Sequence, residues 1–236
     1  MKQFKAWPTG QQDVVRARIA AHKAADEITQ GTGYTVLRDG KVRACAVGCS
    51  LDQYSHDEYS RVLGVDLRLA KLVDVIHEAL PFSDAVSWPG RVAAALTPGA
   101  DTTLAADRFV VWVLRQGVCR NNEHCAAVAT LYGWRLAGRE PALEDWQEAA
   151  DSAASSASAS AASSASASAA SAAASAASSD YAYYSSTADH AAAGAVSAAA
   201  RASDSAAALW RDASAALIEI LERCEVTLEE ALTLNV

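Results

Sequence analysis

Residues Ser152–Ser179 read SAASSASASAASSASASAASAAASAASS, and every one of them is alanine or serine. The stretch opens with the unit SAASSASA, which occurs twice in succession. On a helical wheel most of the serines fall on one half of the circumference, and the other half is mainly alanine. Because alanine is the best helix former and serine is only slightly worse, the pattern predicts a helix with a flat alanine face.

A flat alanine face needs an equally flat partner, and the same chain offers one. His190–Ala208 resumes the alanine-rich pattern after a break at Asp180–Asp189, which contains Tyr181, Tyr183 and Tyr184. The two alanine helices could fold back on each other as a hairpin with the tyrosines at the bend. The alternative is one continuous rod on the order of 100 Å long. The tyrosines are candidate interaction residues, since tyrosine gives a large contact area, or they cap the open end of the hairpin.

The large apolar side chains lie mostly before residue 150 and after residue 208, so the buried core is expected from those two segments. Apolar spacing predicts a helix over Gln11–Thr29. Strand-forming residues at Tyr34–Leu37 and Lys41–Val47, on either side of Asp39-Gly40, predict a β-hairpin. Ser50–Tyr59 is polar and is predicted to be a loop.

The rest of the chain is predicted to be helical. Asp66 is the N-cap of a helix that Pro81 ends. Further helices are predicted over 83–96, with a bend at Trp88-Pro89-Gly90, and over 103–116, 121–136, 143–150 and from residue 209 onward. The predicted fold is mainly α, with a compact helical domain over 1–140 that carries one small β-hairpin near 34–47. An alanine/serine-rich helical hairpin extension follows over 141–208. An amphipathic C-terminal helix over 209–236 is expected to pack back on the core.

The net charge of −8 argues against nucleic-acid binding, which needs clustered lysine and arginine, and against an anionic membrane surface. No apolar run is long enough to cross a bilayer, so no membrane association is expected. The N-terminus lacks the apolar core of a signal peptide. Five cysteines, an odd number, favour reduced thiols. A cytoplasmic protein is the expectation.

The segment over 45–57 carries the candidate ligand residues Cys45, Cys49, His56 and Asp57. A Cys–His nucleophile would use Cys49, His56 and Asp57, but no nucleophile turn or oxyanion hole accompanies them. The alternative is that Cys45 is a small core residue on a strand and Cys49 begins a loop.

A zinc site would need a second ligand pair, which Cys119 and Cys125, beside His124, could supply. The spacings are looser than those of known zinc motifs, so we assign no metal ligand, no cofactor and no catalytic residue from the sequence.

Three groups of segments together resemble a set of uncharacterised proteins encoded by bacteriophages and prophages. They are Cys45-Ala-Val-Gly-Cys49 with Tyr54-Ser-His-Asp57; Leu63-Gly64-Val65 with Leu69–Asp74 and Ile76–Pro81; and Trp88-Pro89 with Gly99-Ala-Asp101. Members of that set carry a long alanine-rich stretch before a C-terminal helix with a tryptophan, as around Trp210. Their tails are richer in Tyr, Asp and Arg than Ser152–Ser179, which has none.

The resemblance implies a source in a bacterial host and a layout, and no reaction. We therefore expect a non-enzymatic phage or prophage accessory protein that acts through contacts with a host protein or with itself through the alanine face. The alternative is a small-ligand- or metal-binding domain that uses the Cys45–Asp57 segment, with the alanine-rich helices as a scaffold.

Overall fold

A computed structural model describes residues 3–116, 119–159 and 206–224. These residues divide into two compact units. The first unit comprises 3–105 and 214–224, and the second comprises the described residues from 106 to 213. The structure is mainly α-helical with a single two-stranded antiparallel hairpin among the described residues, which confirms the predicted fold class.

The elements of the first unit follow the chain in a simple order. They are α1 (Gln12–Ala24), β1 (Tyr34–Val36), β2 (Val42–Ala44), α2 (Ala46–Leu51), α3 (His56–Leu63), α4 (Leu67–Ala79), α5 (Phe82–Ala85) and α6 (Trp88–Ala95). The strands pair in the register Tyr34↔Ala44 and Val36↔Val42, around a turn in which Gly40 has φ +82°. The Asp-Gly signal therefore predicted this hairpin correctly.

Helix α4 supplies much of the core of the first unit. The Asp66 side chain accepts a hydrogen bond from the Arg68 backbone N–H, and the helix ends just before Pro81, as predicted. Its buried apolar residues are Leu69, Leu72, Val73 and Ile76. Trp88 of α6 is fully buried and its indole N–H donates to the Val73 carbonyl at 2.8 Å, which joins the two helices. Burial of one such side chain contributes about 1.5–3 kcal/mol.

Helix α1 is shorter than its apolar spacing predicts. It ends at Ala24, and Asp26 adopts the left-handed conformation with φ +58°, which a helix cannot continue through. Ile28 instead forms a parallel bridge to Ala44 at the hairpin. The prediction of helix up to Thr29 is therefore wrong, because the backbone of this segment forms hydrogen bonds with β2 instead of continuing the helix.

The segment over 45–59 also differs from the prediction. Cys45 is the N-cap of α2 rather than a strand residue, and Cys49 lies inside that helix rather than at the start of a loop. Ser55 then caps α3 by accepting a hydrogen bond from the Glu58 backbone N–H. The loop predicted over Ser50–Tyr59 thus contains the end of one helix and the start of another. The helix predicted over 83–96 consists of two helices, α5 and α6, and α6 begins at Trp88, where the bend was predicted.

The second unit is described from α7 (Ala105–Leu114), α8 (Glu123–Leu136) and α9 (Leu143–Ala159). Tyr132 and Trp146 are buried with their rings edge to face, 4.9 Å apart, and join α8 to α9. Asp107 and Arg135 form a buried ion pair at 3.2 Å. These contacts use the large side chains that precede the alanine/serine tract.

The backbone of α9 is helical through the first copy of the SAASSASA unit, up to Ala159. The rest of the tract, the predicted helical hairpin and Tyr181, Tyr183 and Tyr184 lie outside the described residues. Helix α10 (Ala206–Glu222) begins three residues before the predicted C-terminal helix. No helix in the described ranges has both the length and the apolar character that a membrane span requires. The division into domains at 140 and 208 stays a prediction.

Candidate metal centre

Cys45 is held at the junction between the hairpin and α2. Its backbone N–H donates to the Gly33 carbonyl at 2.7 Å, and its side chain is buried. A Cβ on Gly48 would lie 2.3 Å from the same carbonyl oxygen, so only glycine lets α2 approach so closely. This close approach fixes the position of the Cys45 thiol.

Helix α4 presents two carboxylates, Asp74 and Glu78, to the same side, because residues four apart lie one above the other on a helix. Asp74 is only 7% exposed, whereas Glu78 is exposed to solvent. Glu78 Oε2 accepts a hydrogen bond from the backbone N–H of Gly31. Gln30 donates to the carbonyls of His77 and Leu80, so the segment before the hairpin is tied to the C-terminal half of α4.

The Cys45 sulfur and one carboxylate oxygen each from Asp74 and Glu78 lie within 4.8 Å of one another. In the described part of the chain this is the one group of three such side chains close enough to share a metal ion. We call it the Asp74 cluster. Two of its members are buried and the third is exposed, so one side of the cluster is open to solvent.

Two neighbouring side chains hold one oxygen of Asp74. The Tyr54 hydroxyl donates to Oδ2 at 2.8 Å, and His56 Nε2 lies 3.1 Å from the same atom. The two rings contact each other edge to face with their centroids 5.1 Å apart. Oδ1 of Asp74 is buried and accepts no hydrogen bond from a nitrogen or hydroxyl donor of the described residues. The Cys45 thiol is the third side chain that hydrogen-bonds the Asp74 carboxyl, and a thiol is a weak donor.

The protonation states follow from these surroundings. Burial raises the pKa of the Cys45 thiol well above its ordinary value, and the negative charge of Asp74 raises it further. Burial opposes ionisation of Asp74, but the hydrogen bonds from His56, Tyr54 and the Cys45 thiol outweigh it and lower the pKa of that carboxyl. Burial raises the pKa of Glu78. The cluster therefore pairs a neutral thiol with a buried carboxylate, and a thiol in that state is a poor nucleophile.

The structure brings together two of the residues that the sequence singled out, Cys45 and His56. Cys49 lies elsewhere on α2, where its thiol donates to the Ala46 carbonyl at 3.4 Å and burial raises its pKa to about 12. Asp57 is exposed in the first turn of α3. The grouping of Cys49 with His56 and Asp57 as a nucleophile gains no support from these contacts and stays a prediction.

Cys119 and Cys125 belong to the second unit and are not part of the Asp74 cluster. The Cys125 thiol donates to the sulfur of Cys119, which lowers the pKa of Cys119 and raises that of Cys125. The pairing of these thiols with Cys45 and Cys49 around one zinc ion stays a prediction.

Sequence reasoning missed Asp74, Glu78 and Tyr54. A signal for the first two was present, because Asp74 interrupts the apolar stripe of α4 and Glu78 follows it by one turn. Tyr54 had no such signal, since only the fold places its hydroxyl on Asp74.

A second polar cluster, around His22, lies in the same unit. His22 Nδ1 lies 2.7 Å from Glu27 Oε2, and Nε2 lies 2.9 Å from Asp52 Oδ1. Arg18 pairs with the other oxygen of Asp52 at 2.8 Å, and the Val42 N–H donates to the other oxygen of Glu27. Each carboxylate oxygen and each ring nitrogen of this His22 cluster therefore has a partner.

Comparison of the chain with protein-family models, with curated proteins and with solved structures finds no match. The resemblance to phage and prophage proteins stays a prediction.

Proposed function

We propose that the first unit is a metal-binding domain whose ligands are Cys45, Asp74 and Glu78. One observation carries the proposal. A thiol and two carboxylates, those of Cys45, Asp74 and Glu78, converge within 4.8 Å, and two of the three are buried. A cation between these three groups would take the place of the proton by which the Cys45 thiol now hydrogen-bonds Asp74.

The chemistry of the three groups fits a divalent metal ion. Thiolate and carboxylate are both metal ligands, and an ion would neutralise the negative charges that crowd the cluster. Binding would displace the proton of the Cys45 thiol, because a metal binds the thiolate. The exposed side at Glu78 gives the ion a route of entry.

The competing interpretation is a structural cluster in which Tyr54 and His56 alone satisfy Asp74. With the added hydrogen bond from the Cys45 thiol it accounts for Asp74, but it does not explain why a second acid, Glu78, approaches the same group. The two interpretations differ in a measurable way, since only the first predicts saturable binding of a metal ion.

Equilibrium dialysis of the metal-stripped full chain against Zn²⁺ tests the proposal. We expect about one zinc ion per chain. Asp74→Asn should weaken binding by on the order of 100-fold or more, because loss of an outer-shell partner alone costs about 10–100-fold. Asp57→Asn is the matched control, an acid-to-amide change at an exposed residue outside the cluster, and should leave binding unchanged. Absence of zinc binding by the wild-type chain would remove the proposal.

A role in contacts with a host protein or in self-assembly rests on the alanine-rich segment and stays a prediction. That role is compatible with a metal site in the first unit, because the two would use separate parts of the chain.

A further inference from the structure

The two carboxylates of the Asp74 cluster are held differently. Oδ2 of Asp74 accepts hydrogen bonds from Tyr54 and His56, which engage both of its lone pairs, whereas Oε2 of Glu78 accepts one, from the Gly31 N–H. The other partner of Asp74 is the Cys45 thiol, whose proton a bound metal ion displaces. Asp74 is therefore left with Oδ1 as its one oxygen for a metal ion, and the Gly31 contact favours binding of Glu78 through its other oxygen.

We infer that Tyr54 and His56 are specificity-determining residues, which restrict Asp74 to one ligand oxygen and so select a thiophilic, four-coordinate ion of the zinc class. This inference rests on the proposed metal site. Cys45, Asp74 and Glu78 then supply one sulfur and two oxygens, which leaves one position of a tetrahedral ion for water or a small ligand.

The ligand set separates classes of metal ion. Ca²⁺ takes six to eight oxygen ligands and often a bidentate carboxylate, and Mg²⁺ demands six oxygens in octahedral geometry. Neither requirement is met by two single oxygens and a thiolate. Zn²⁺ accepts sulfur and oxygen ligands in tetrahedral geometry, and three protein ligands with one open position is a known arrangement for it.

The positions of Tyr54 and His56 are fixed by the fold. They flank Ser55, whose side chain caps α3, so their backbone is held by the start of that helix. The Tyr54 ring lies directly against Gly33, where an added Cβ would be 3.1 Å from Cγ of the ring. Tyr54 is half exposed and could be altered without opening the core. These two residues act on the ion through Asp74, which makes them positioning residues.

The experiment compares Zn²⁺ and Mn²⁺, the latter chosen because it accepts higher coordination numbers and bidentate carboxylates. Dissociation constants for each ion alone are measured by competition with a chromophoric chelator, for wild type, Tyr54→Phe and the double variant Tyr54→Phe/His56→Gln. Tyr34→Phe is the matched control, since this tyrosine contacts His22 and not the Asp74 cluster.

We expect Tyr54→Phe to weaken zinc binding by about tenfold, the lower end of the effect of outer-shell partners. Mn²⁺ binding should weaken less or improve, so the zinc-to-manganese ratio of affinities falls, and it should fall further in the double variant. A loss of folding would reduce both affinities together, whereas a changed ratio reports the coordination of Asp74. The single variant removes only one hydroxyl and keeps the test available if the double variant misfolds.

The outcomes separate this inference from the proposal it rests on. Wild-type protein that binds zinc, with a ratio unchanged in Tyr54→Phe and in the double variant, would overturn the selectivity role and leave the metal site standing. Wild-type protein that binds neither ion would remove the site itself. An equal fall of the ratio in Tyr34→Phe would also overturn the inference, because the effect would not depend on Asp74.

Discussion

The two polar clusters of the first unit lie at opposite ends of α2, and they differ in how their charges are balanced. Asp52, which follows α2, belongs to the His22 cluster, where Arg18 and the His22 ring face two carboxylates. Cys45, which precedes α2, belongs to the Asp74 cluster, where two carboxylates and a thiol converge and no cationic residue of the arginine or lysine type faces them among the described contacts of Asp74 and Glu78. A polar network in which every atom has a hydrogen-bond partner stabilises the fold by itself. A network of like-charged groups is stabilised most by a bound ligand of opposite charge.

The largest difference between the clusters should appear in the pH dependence of metal affinity. Because the raised pKa of Cys45 keeps its thiol protonated, each bound zinc ion must release about one proton. The apparent affinity should therefore fall by roughly 100-fold from pH 8 to pH 6, and more steeply toward acidic pH, where Glu78 also takes up a proton. Calorimetry in buffers of different ionisation enthalpy gives the number of protons. Affinity that does not change between these pH values would mean that Cys45 is not a ligand.

The next largest effect is on the stability contributed by the His22 cluster. Glu27→Gln removes the charge that faces His22 Nδ1, and it should lower the free energy of unfolding by about 1.5–3 kcal/mol, the range for hydrogen bonds to charged groups. Urea unfolding of the metal-free protein measures it, and zinc affinity of the same variant should stay at the wild-type value. Unchanged stability would show that the matched contacts of this cluster contribute little.

The corresponding acid-to-amide change in the Asp74 cluster should have a smaller effect on the free energy of unfolding, and of opposite sign. The pKa of Glu78 is raised by burial, so its ionised form disfavours folding once the pH rises above its ordinary value of 4.5. Glu78→Gln should therefore leave the metal-free protein as stable at pH 7 as wild type, or slightly more stable, while zinc binding weakens. Thermal unfolding with and without zinc measures both quantities. A variant clearly less stable in metal-free buffer would indicate that Glu78 has a structural role instead.

The elements that the sequence predicts well have local causes. The bounds of α4 follow from the Asp66 cap, the apolar stripe and Pro81, and the hairpin follows from Asp39-Gly40. Helix α2 was missed because it spans only Ala46–Leu51 and begins where the Cys45 N–H meets the Gly33 carbonyl, a contact that spacing along the chain does not encode.

Some residues of the candidate site could be predicted from the sequence, but their arrangement could not, because it depends on contacts between distant segments. Cys45 and His56 are chemically conspicuous in the sequence, and an acid within an apolar helix stripe pointed to Asp74. Their meeting depends on how α2, α3 and α4 pack, together with the segment that ends at Gly33. The choice between Cys45 and Cys49 could be made only from the fold, since both thiols are buried and they differ mainly in what they face.

Titration of the metal-free chain with Co²⁺ tests the central claim most directly, because a cobalt ion bound by a thiolate acquires a sulfur-to-metal charge-transfer absorption. We predict that this band saturates at about one ion per chain, disappears in Cys45→Ser and persists in Cys49→Ser. A wild-type chain that develops no such band, or a band that Cys49→Ser removes and Cys45→Ser retains, would contradict the assignment of the metal to the Asp74 cluster.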